Sequence, residues 1–405
     1  MENPKIRFKG YTKDWEQRKL GDMGSTFTGL SGKTKEDFGH GDAQFITYMN
    51  VFSNPVANIE MTEAVEIDAK QNRVKKGDVF FTTSSETPEE VGMSCVMPEN
   101  KDNIYLNSFC FGYRPTEKFD LDYLAYVLRA DSFRKEMKFL AQGISRYNIS
   151  KNKVMEVSIP IPNLEEQTMV GRYFSTLDHL ITLHQRKCEQ TKKLKKYMLQ
   201  KMFPQNGAKV PEIRFDGFTY DWEQRKLSEL LEKYEDPVET PHDGYERVGI
   251  RSHAKGTFHS FVEPGKELDT AKMYRVAADK FILNITFAWE HAVAITDNND
   301  AGKLVSHRFP QFSFNPKLKP HFFKYLMLDK KFREHLELSS PGGAGRNRVL
   351  KISDMLKYEI KLSSIEEQIK IGEYFSTLDN LITLHQRKCD ELKKMKKYML
   401  QNMFI

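Results

Sequence analysis

The chain repeats itself. Residues 173–188 read YFSTLDHLITLHQRKC and return at 374–389 with one change, His179 against Asn380. A shorter block, DWEQRKL, occupies 14–20 and again 221–227. The polypeptide is therefore two tandem halves of about 200 residues, alike at their ends and unlike in their middles. Near-identity at the ends means that one structural task is performed twice. Divergence between them means that the variable parts do different jobs on a common frame.

The longer block lies within a helix signal. Across 164–203 the series Val170, Phe174, Leu177, Ile181, His184, Cys188 and Met198 advances mostly by threes and fours. That is the stripe of a helix buried against one partner helix. The twin series is Ile371, Phe375, Leu378, Ile382, His385, Cys389, Leu392 and Met399, and neither copy meets a Pro or Gly after Gly171 and Gly372. Two helices of about 35–40 residues follow, each roughly 55–60 Å long. A narrow seam on a charged helix cannot bury itself alone, and internal pseudo-twofold symmetry predicts an antiparallel pair. Pro204, Gly207 and Pro211 close the first helix. His184 with Cys188, and His385 with Cys389, have the i, i+4 spacing of two metal ligands. Without further ligands in company they are read as seam packing.

The middles read as mixed α/β. Stretches 79–83 (VFFTT) and 281–286 (FILNIT) are strand-like, the first preceded by the turn signal Lys76-Gly77-Asp78. One helix is predicted near 123–140 and its counterpart near 322–338, with Tyr126, Phe133 and Arg134 matching Tyr325, Phe332 and Arg333. A glycine-bearing polar loop follows each, at 143–148 and at 342–348. The apolar segment 157–162 then enters the first long helix through Glu165-Glu166-Gln167, mirrored by Glu366-Glu367-Gln368. Acidic residues in a first turn suit the helix dipole, so this triplet is read as capping. The fold class is α+β, with boundaries at 1–160, 161–205, 206–362 and 363–405: domain, long helix, domain, long helix.

Several chemistries are excluded or weakened. No apolar run reaches the roughly 20 residues that span a bilayer, and the N-terminus lacks a signal-peptide core, so a cytoplasmic protein with no membrane partner is expected. The four cysteines form no CxxC and no complete Cys/His ligand set, so neither zinc nor a disulfide framework is expected. Leu30-Ser31-Gly32-Lys33-Thr34 resembles a phosphate-binding loop, but the first glycine of GxxxxGK[ST] would fall at Phe27. No NPPY-like tetrapeptide and no GxGxxG loop occurs, and no strand-borne acid pair with a nuclease lysine stands out. The chain reads as non-catalytic. A net charge of +6 permits a nucleic-acid partner without demanding one.

In this order, twice, these features resemble the DNA-specificity subunits of type I restriction–modification enzymes. The likeness rests on the duplicated order, the PIPNLEEQ-type helix entry, the helices themselves and the segment 28–55, TGLSGKTKEDFGHGDAQFITYMNVFSNP. The second half lacks a close copy of that last segment; 232–249 takes its place. The resemblance implies that each variable domain reads one half of a bipartite, asymmetric double-stranded DNA target. It implies that the helices set the unread spacer and dock two methyltransferase subunits. Two restriction–motor subunits would complete the complex. S-adenosylmethionine, ATP and magnesium would then bind those partners, with no cofactor and no metal on this chain.

The loop residues Arg146, Tyr147 and Asn148, with Arg346, Asn347 and Arg348 in the second half, are the leading DNA-contact candidates. They combine forked guanidinium donors, amides able to bond adenine and an aromatic. Lys33, Lys35, Tyr48, Thr83 and Ser84 form a second tier with Arg251, His253, Lys255, Asn284 and Arg308; for these an ordinary structural role is the competing reading. Lys192, Lys193, Lys195 and Lys196, echoed at Lys393, Lys394, Lys396 and Lys397, are read as solvated helix lysines. Two rivals stand beside this function. A self-contained methyltransferase or nuclease would modify DNA without another subunit, and a coiled-coil scaffold would show no DNA sequence preference.

Overall fold

The computed structural model of the chain describes residues 3–205, 207–267, 272–342 and 348–404. It divides into two compact units, one of residues 1–186 with 386–405 and the other of residues 187–385. The linear boundary expected at 362/363 falls just after the strand Glu359–Leu362, and that at 160/161 falls within the strand Ser158–Ile161. Each compact unit runs past them, taking in the start of one long helix and the end of the other.

In unit 1 the DWEQRKL block is a strand. Glu16–Lys19 pairs antiparallel with Ser158–Ile161, the segment that feeds the long helix. A four-stranded antiparallel sheet follows in the order Gly24–Thr28, Cys110–Pro115, Val79–Thr82, Ser94–Val96. Successive side chains of a strand point to opposite faces, and both faces of Val79–Thr82 are covered. Val79 and Phe81 join the core under the helices, where Phe81 stacks on Phe111 at 5.2 Å. Phe80 joins a second core with Ile46, Ile104 and Leu106. Those three belong to a small sheet of Thr62–Val65, Phe38–Ile46 and Ile104–Leu106, the last two parallel.

Unit 2 rebuilds the same frame from different residues. Glu223–Lys226 pairs with Glu359–Leu362. Its four-stranded sheet has the same order and sense: Leu231–Tyr234, Gln311–Phe314, Phe281–Leu283, Val293–Ile295. The second sheet differs. Here it has five strands, in the order Pro237–Val238, Met273–Arg275, Leu304–Ser306, Tyr245–Ile250, Thr257–Val262. It keeps one parallel pair, Tyr245–Ile250 with Leu304–Ser306. Divergence between the halves is thus concentrated outside the common sheet.

The helix expected near 123–140 is two helices, Leu121–Val127 and Asp131–Leu140. No Gly or Pro marks the break. It arises because Tyr126 must face Phe174 of the long helix (5.2 Å) while Phe133 faces Phe81 of the sheet (6.3 Å). Pro320–Leu326 and Lys330–Leu338 split the counterpart in the same way.

The long helices are Leu164–Lys201 and Ile365–Asn402, 38 residues each. In unit 1, Phe174 stacks on Phe404 at 5.5 Å. In unit 2, Phe375 stacks on Phe203 at 6.0 Å, and the Cys188 thiol donates to the Ile382 carbonyl at 3.8 Å. In both, the start of one helix lies against the end of the other, so the segments are antiparallel, as the seam predicts. Of the seam residues, Phe174, Leu177, Ile181, Cys188, Phe375, Leu378 and Cys389 are buried, while His184, Ile382 and His385 are half-buried. The seam is wider than a two-helix stripe because Phe174 and Phe375 also enter the core of their unit.

Two readings need correction. Glu166 and Glu367 do not cap: both are 0% exposed, and each holds an arginine, Arg7 at 2.6 Å and Arg214 at 2.7 Å. Capping falls to Asn163, whose side chain accepts from the Glu166 amide at 2.9 Å, and to Ser364, which accepts from the Glu367 amide at 3.3 Å. Nor are all the helix lysines solvated. Lys396 grips Asp178 at 2.6 Å and Lys195 grips Asp379 at 2.5 Å. The same carboxylates accept from the hydroxyls of Tyr126 (2.8 Å) and Tyr325 (2.9 Å). Because each lysine sits on the opposite helix from its aspartate, the pairs fix helix register more than they add stability; partly exposed pairs contribute only about 0–1 kcal/mol.

Candidate nucleic-acid interface

In unit 1 the polypeptide gathers six candidates from three separate segments. Tyr147–Asn148 pairs antiparallel with Ser84–Ser85, directly beyond the end of Val79–Thr82. The Ile149 amide donates to the Thr83 carbonyl at 3.0 Å, and the Thr83 hydroxyl donates to the Phe109 carbonyl at 2.8 Å. The Arg146 guanidinium reaches the Ser84 hydroxyl at 3.1 Å. The Tyr48 hydroxyl donates to the Ser84 carbonyl at 2.8 Å. Burial pushes the Tyr48 phenol above its ordinary range, so it stays a proton donor. Arg146 and Asn148 are exposed, Thr83 and Tyr147 are half-buried, and Ser84 is buried. Ser84 therefore positions Arg146.

Sequence reasoning missed what holds this corner together. Arg129 is half-buried and spends its guanidinium on backbone carbonyls: Ser94 at 2.7 Å, Val51 at 2.8 Å, Phe52 at 3.1 Å and Asn54 at 2.9 Å. It ties the Tyr48–Ser53 helix, and with it Tyr48, to the central sheet. Burial pulls Arg129 down to about 10, still charged at neutral pH. Arg134 does the same for the loop before Ser94–Val96, donating to Gly92, Glu89 and Val91. A basic residue amid the apolar run 123–133 was the available signal.

Lys33 and Lys35 lie elsewhere. Lys33 is paired with Asp68 at 3.1 Å, and its side chain is only 12% exposed. The Asp68 carboxyl is held down at about 2, first by the Lys70 amide, then by Gln71 and Lys33. Lys35 is exposed. The segment 30–34 feeds a three-residue turn, Lys35–Asp37, and then a strand. A phosphate-binding loop leads into a helix whose N-terminus faces the anion; this one does not.

Unit 2 repeats two backbone hydrogen bonds of the corner. The Ile285 amide donates to the Arg308 carbonyl (3.0 Å) as Thr83 does to Phe109 (3.0 Å). The Leu350 amide donates to the Ile285 carbonyl (2.9 Å) as Ile149 does to Thr83. Arg308 thus stands where unit 1 has Phe109, and Arg348 where it has Tyr147, one place off the alignment that sets Arg146 against Arg346. Arg348 lies over the Trp289 ring at 5.4 Å and pairs with Glu337 at 3.5 Å. Arg346 and Asn347 lie outside the described residues. Asn284 is half-buried, its side-chain oxygen accepting from the Thr286 amide (3.0 Å) and hydroxyl (2.7 Å).

Arg251, His253 and Lys255 are exposed on one turn, with Arg251 over the Phe258 ring at 5.2 Å. His253 and Ala254 both take left-handed backbone angles, +63° and +50°. Their amides are anchored on the carbonyls of Glu290 (2.9 Å) and His291 (2.8 Å). His291 is buried, with its Nε2 2.9 Å from the Met327 carbonyl, so that nitrogen carries the proton. Desolvation lowers its pKa below the usual 6.5. The native state therefore prefers the neutral ring, and the unfolded state binds more protons at acid pH. Stability should fall as pH drops below about 6.5. The urea midpoint of unit 2 is expected to decline from pH 7 to pH 5, and less so in His291→Asn, which tolerates the left-handed backbone. Equal declines in both proteins would rule His291 out as the cause.

Among the described residues no group of three or more His, Cys, Asp or Glu side chains could hold a metal ion. Likewise no helix is long and apolar enough to cross a membrane.

Comparison with known proteins agrees with this architecture. Residues 12–193 and 220–394 match the model of the type I restriction modification DNA specificity domain. A Methanocaldococcus jannaschii protein provisionally named the type I restriction enzyme MjaX specificity subunit is 27% identical over 412 residues, 96% of this chain and 92% of its own. The type I restriction enzyme MjaVIII specificity subunit of that organism is 25% identical over 69% of this chain and 68% of its own. Among solved structures, the S subunit of a type I restriction–modification system from M. genitalium covers 100% of this chain and 99% of its own. Its TM-score is 0.61 at 14% identity, a likeness of fold. With both repeats matched along most of the sequence, the chain belongs to the type I restriction–modification DNA specificity family and carries two copies of its domain.

Proposed function

We propose that this chain is the DNA-reading, non-catalytic subunit of a type I restriction–modification assembly, each unit reading one half of a bipartite, asymmetric target. Family membership supports the role, and one observation supports the placement. Residues distant in sequence converge on one corner of unit 1, and unit 2 repeats two of that corner's backbone hydrogen bonds with other residues. Same frame with different chemistry is what two readers of two different half-sites require. Contact would combine salt-dependent phosphate pairing with base readout in the grooves.

On this reading the long helices set the unread spacer and dock two methyltransferase subunits. Two restriction–motor subunits join that core. S-adenosylmethionine, ATP and magnesium act on those partners. The experiment is a segment exchange. Residues 20–157 are replaced by the matching segment of another family member, and adenine methylation is mapped genome-wide in a host carrying the full enzyme. One half of the methylated target should change and the other should stay. A change in both halves would overturn the assignment of one half-site to each unit. Methyl transfer by the purified chain alone would overturn the non-catalytic role.

A further inference from the structure

We propose that Ile144 is a base-contacting residue of unit 1, an aliphatic tip that enters the DNA groove and rests on the apolar surface of a base. This deepens the reading above and rests on it. The observation is a loop closed by hydrogen bonds that displays an apolar side chain. Gln142 and Asn148 bond each other in both directions, amide to carbonyl, at 3.0 and 2.8 Å. Gly143 between them has φ +144°, and a Cβ there would sit 2.1 Å from the Arg146 carbonyl oxygen, so only glycine lets the loop close this tightly. The returning strand Tyr147–Asn148 is pinned to Ser84–Ser85, and Arg146 to Ser84.

At the apex Ile144 is 97% exposed, more than any other large apolar side chain described. A preorganised apolar tip costs little further ordering on binding. Beside it stand a guanidinium, an amide and a phenol, the groups that engage phosphates and base edges. An aliphatic group in that company fits the methyl of thymine or the face of an opened base step. The matching stretch 342–348 of the second half carries only Ala344 as an aliphatic residue. The contact therefore belongs to one half-site, and the other half-site serves as an internal control.

The test uses the full chain assembled with its methyltransferase subunits and a duplex carrying the methylated target. Ile144→Ser is expected to weaken target binding about tenfold, the scale of one lost base contact. It should leave non-specific DNA binding unchanged, and Ile144→Leu should restore affinity. Two arms separate the base surfaces. Replacing the thymines of that half-site with uracil should cost the wild type the same factor, and the serine variant nothing more, if the methyl is the partner. A 2-aminopurine in the half-site should brighten with wild type and not with the serine variant if a base step is opened. Unchanged target binding by Ile144→Ser, or loss of the methyltransferase subunits from the serine variant, overturns the proposal. Arg146→Ala separates this from the parent reading: unchanged target binding by both variants removes the whole loop from the interface, whereas an effect of Arg146→Ala alone removes only Ile144.

Discussion

Glu166→Ala is expected to lower the stability of unit 1 by about 3–5 kcal/mol, the cost of leaving one member of a buried ion pair alone. The carboxylate accepts three hydrogen bonds: Arg7 Nε at 2.6 Å, Arg7 Nη2 at 2.8 Å and Trp15 Nε1 at 3.1 Å. Arg7 is raised above its ordinary range, chiefly by that bond, and its side chain is 12% exposed; it would keep the Lys13 carbonyl and Asn3 as acceptors but lose its counter-charge. Trp15 is buried beside Tyr123 and would lose its acceptor too. What the carboxylate fastens is the N-terminal arm, residues 3–15, against the first turn of the long helix. Glu367→Ala should cost less. Among the described residues Glu367 accepts only from Arg214, at 2.7 and 2.9 Å, and the buried Trp222 indole N–H has no partner. Glu166→Gln should fall between wild type and alanine, because one acceptor oxygen remains. Chemical denaturation of the four proteins checks the order; a loss below about 1 kcal/mol for Glu166→Ala would show that the clamp is dispensable.

The clamp also shows where sequence reading stops. Duplication, the two long helices and their antiparallel sense were legible because they depend on local period and on repetition. The family was legible because its markers recur in a fixed order. Glu166 was misread because a first-turn glutamate has a local explanation, whereas its real partners lie 159 and 151 residues away. Lys195 and Lys396 were misread for the same reason, their aspartates being 184 and 218 residues distant. The break between Val127 and Asp131 has no breaker residue; two surfaces pulling Tyr126 and Phe133 in different directions impose it. The candidate corner was half legible. Its loop at 143–148 stood out by composition, but Arg129, which pins Tyr48 by four carbonyl contacts, announced itself only as a charge in an apolar run.

Phe404→Ala should cost about 3–5 kcal/mol, the range for removing a large aromatic from a packed core. Phe404 is 5% exposed, stacks on Phe174 at 5.5 Å and meets Tyr123 at 5.8 Å. Met403 beside it is buried in the same cluster. The core of unit 1 is therefore finished by residues more than two hundred positions beyond the sheet they cover. Phe203 is the counterpart in unit 2, touching Phe375 at 6.0 Å, Phe322 at 5.5 Å and Trp222 at 6.2 Å. It is only half-buried, so Phe203→Ala gives up less apolar area and leaves a cavity that water can reach. The smaller loss should therefore fall on unit 2 although the two residues hold matching places in the repeat. Hydrogen exchange resolved by segment distinguishes the cases. Phe404→Ala should speed exchange in Leu121–Val127 and in the first turns of Leu164–Lys201, and Phe203→Ala in Pro320–Leu326 and the first turns of Ile365–Asn402, to a lesser degree. Faster exchange in Pro320–Leu326 than in Leu121–Val127 after Phe404→Ala would contradict this interleaving, in which the end of each long helix completes the core against which the other begins.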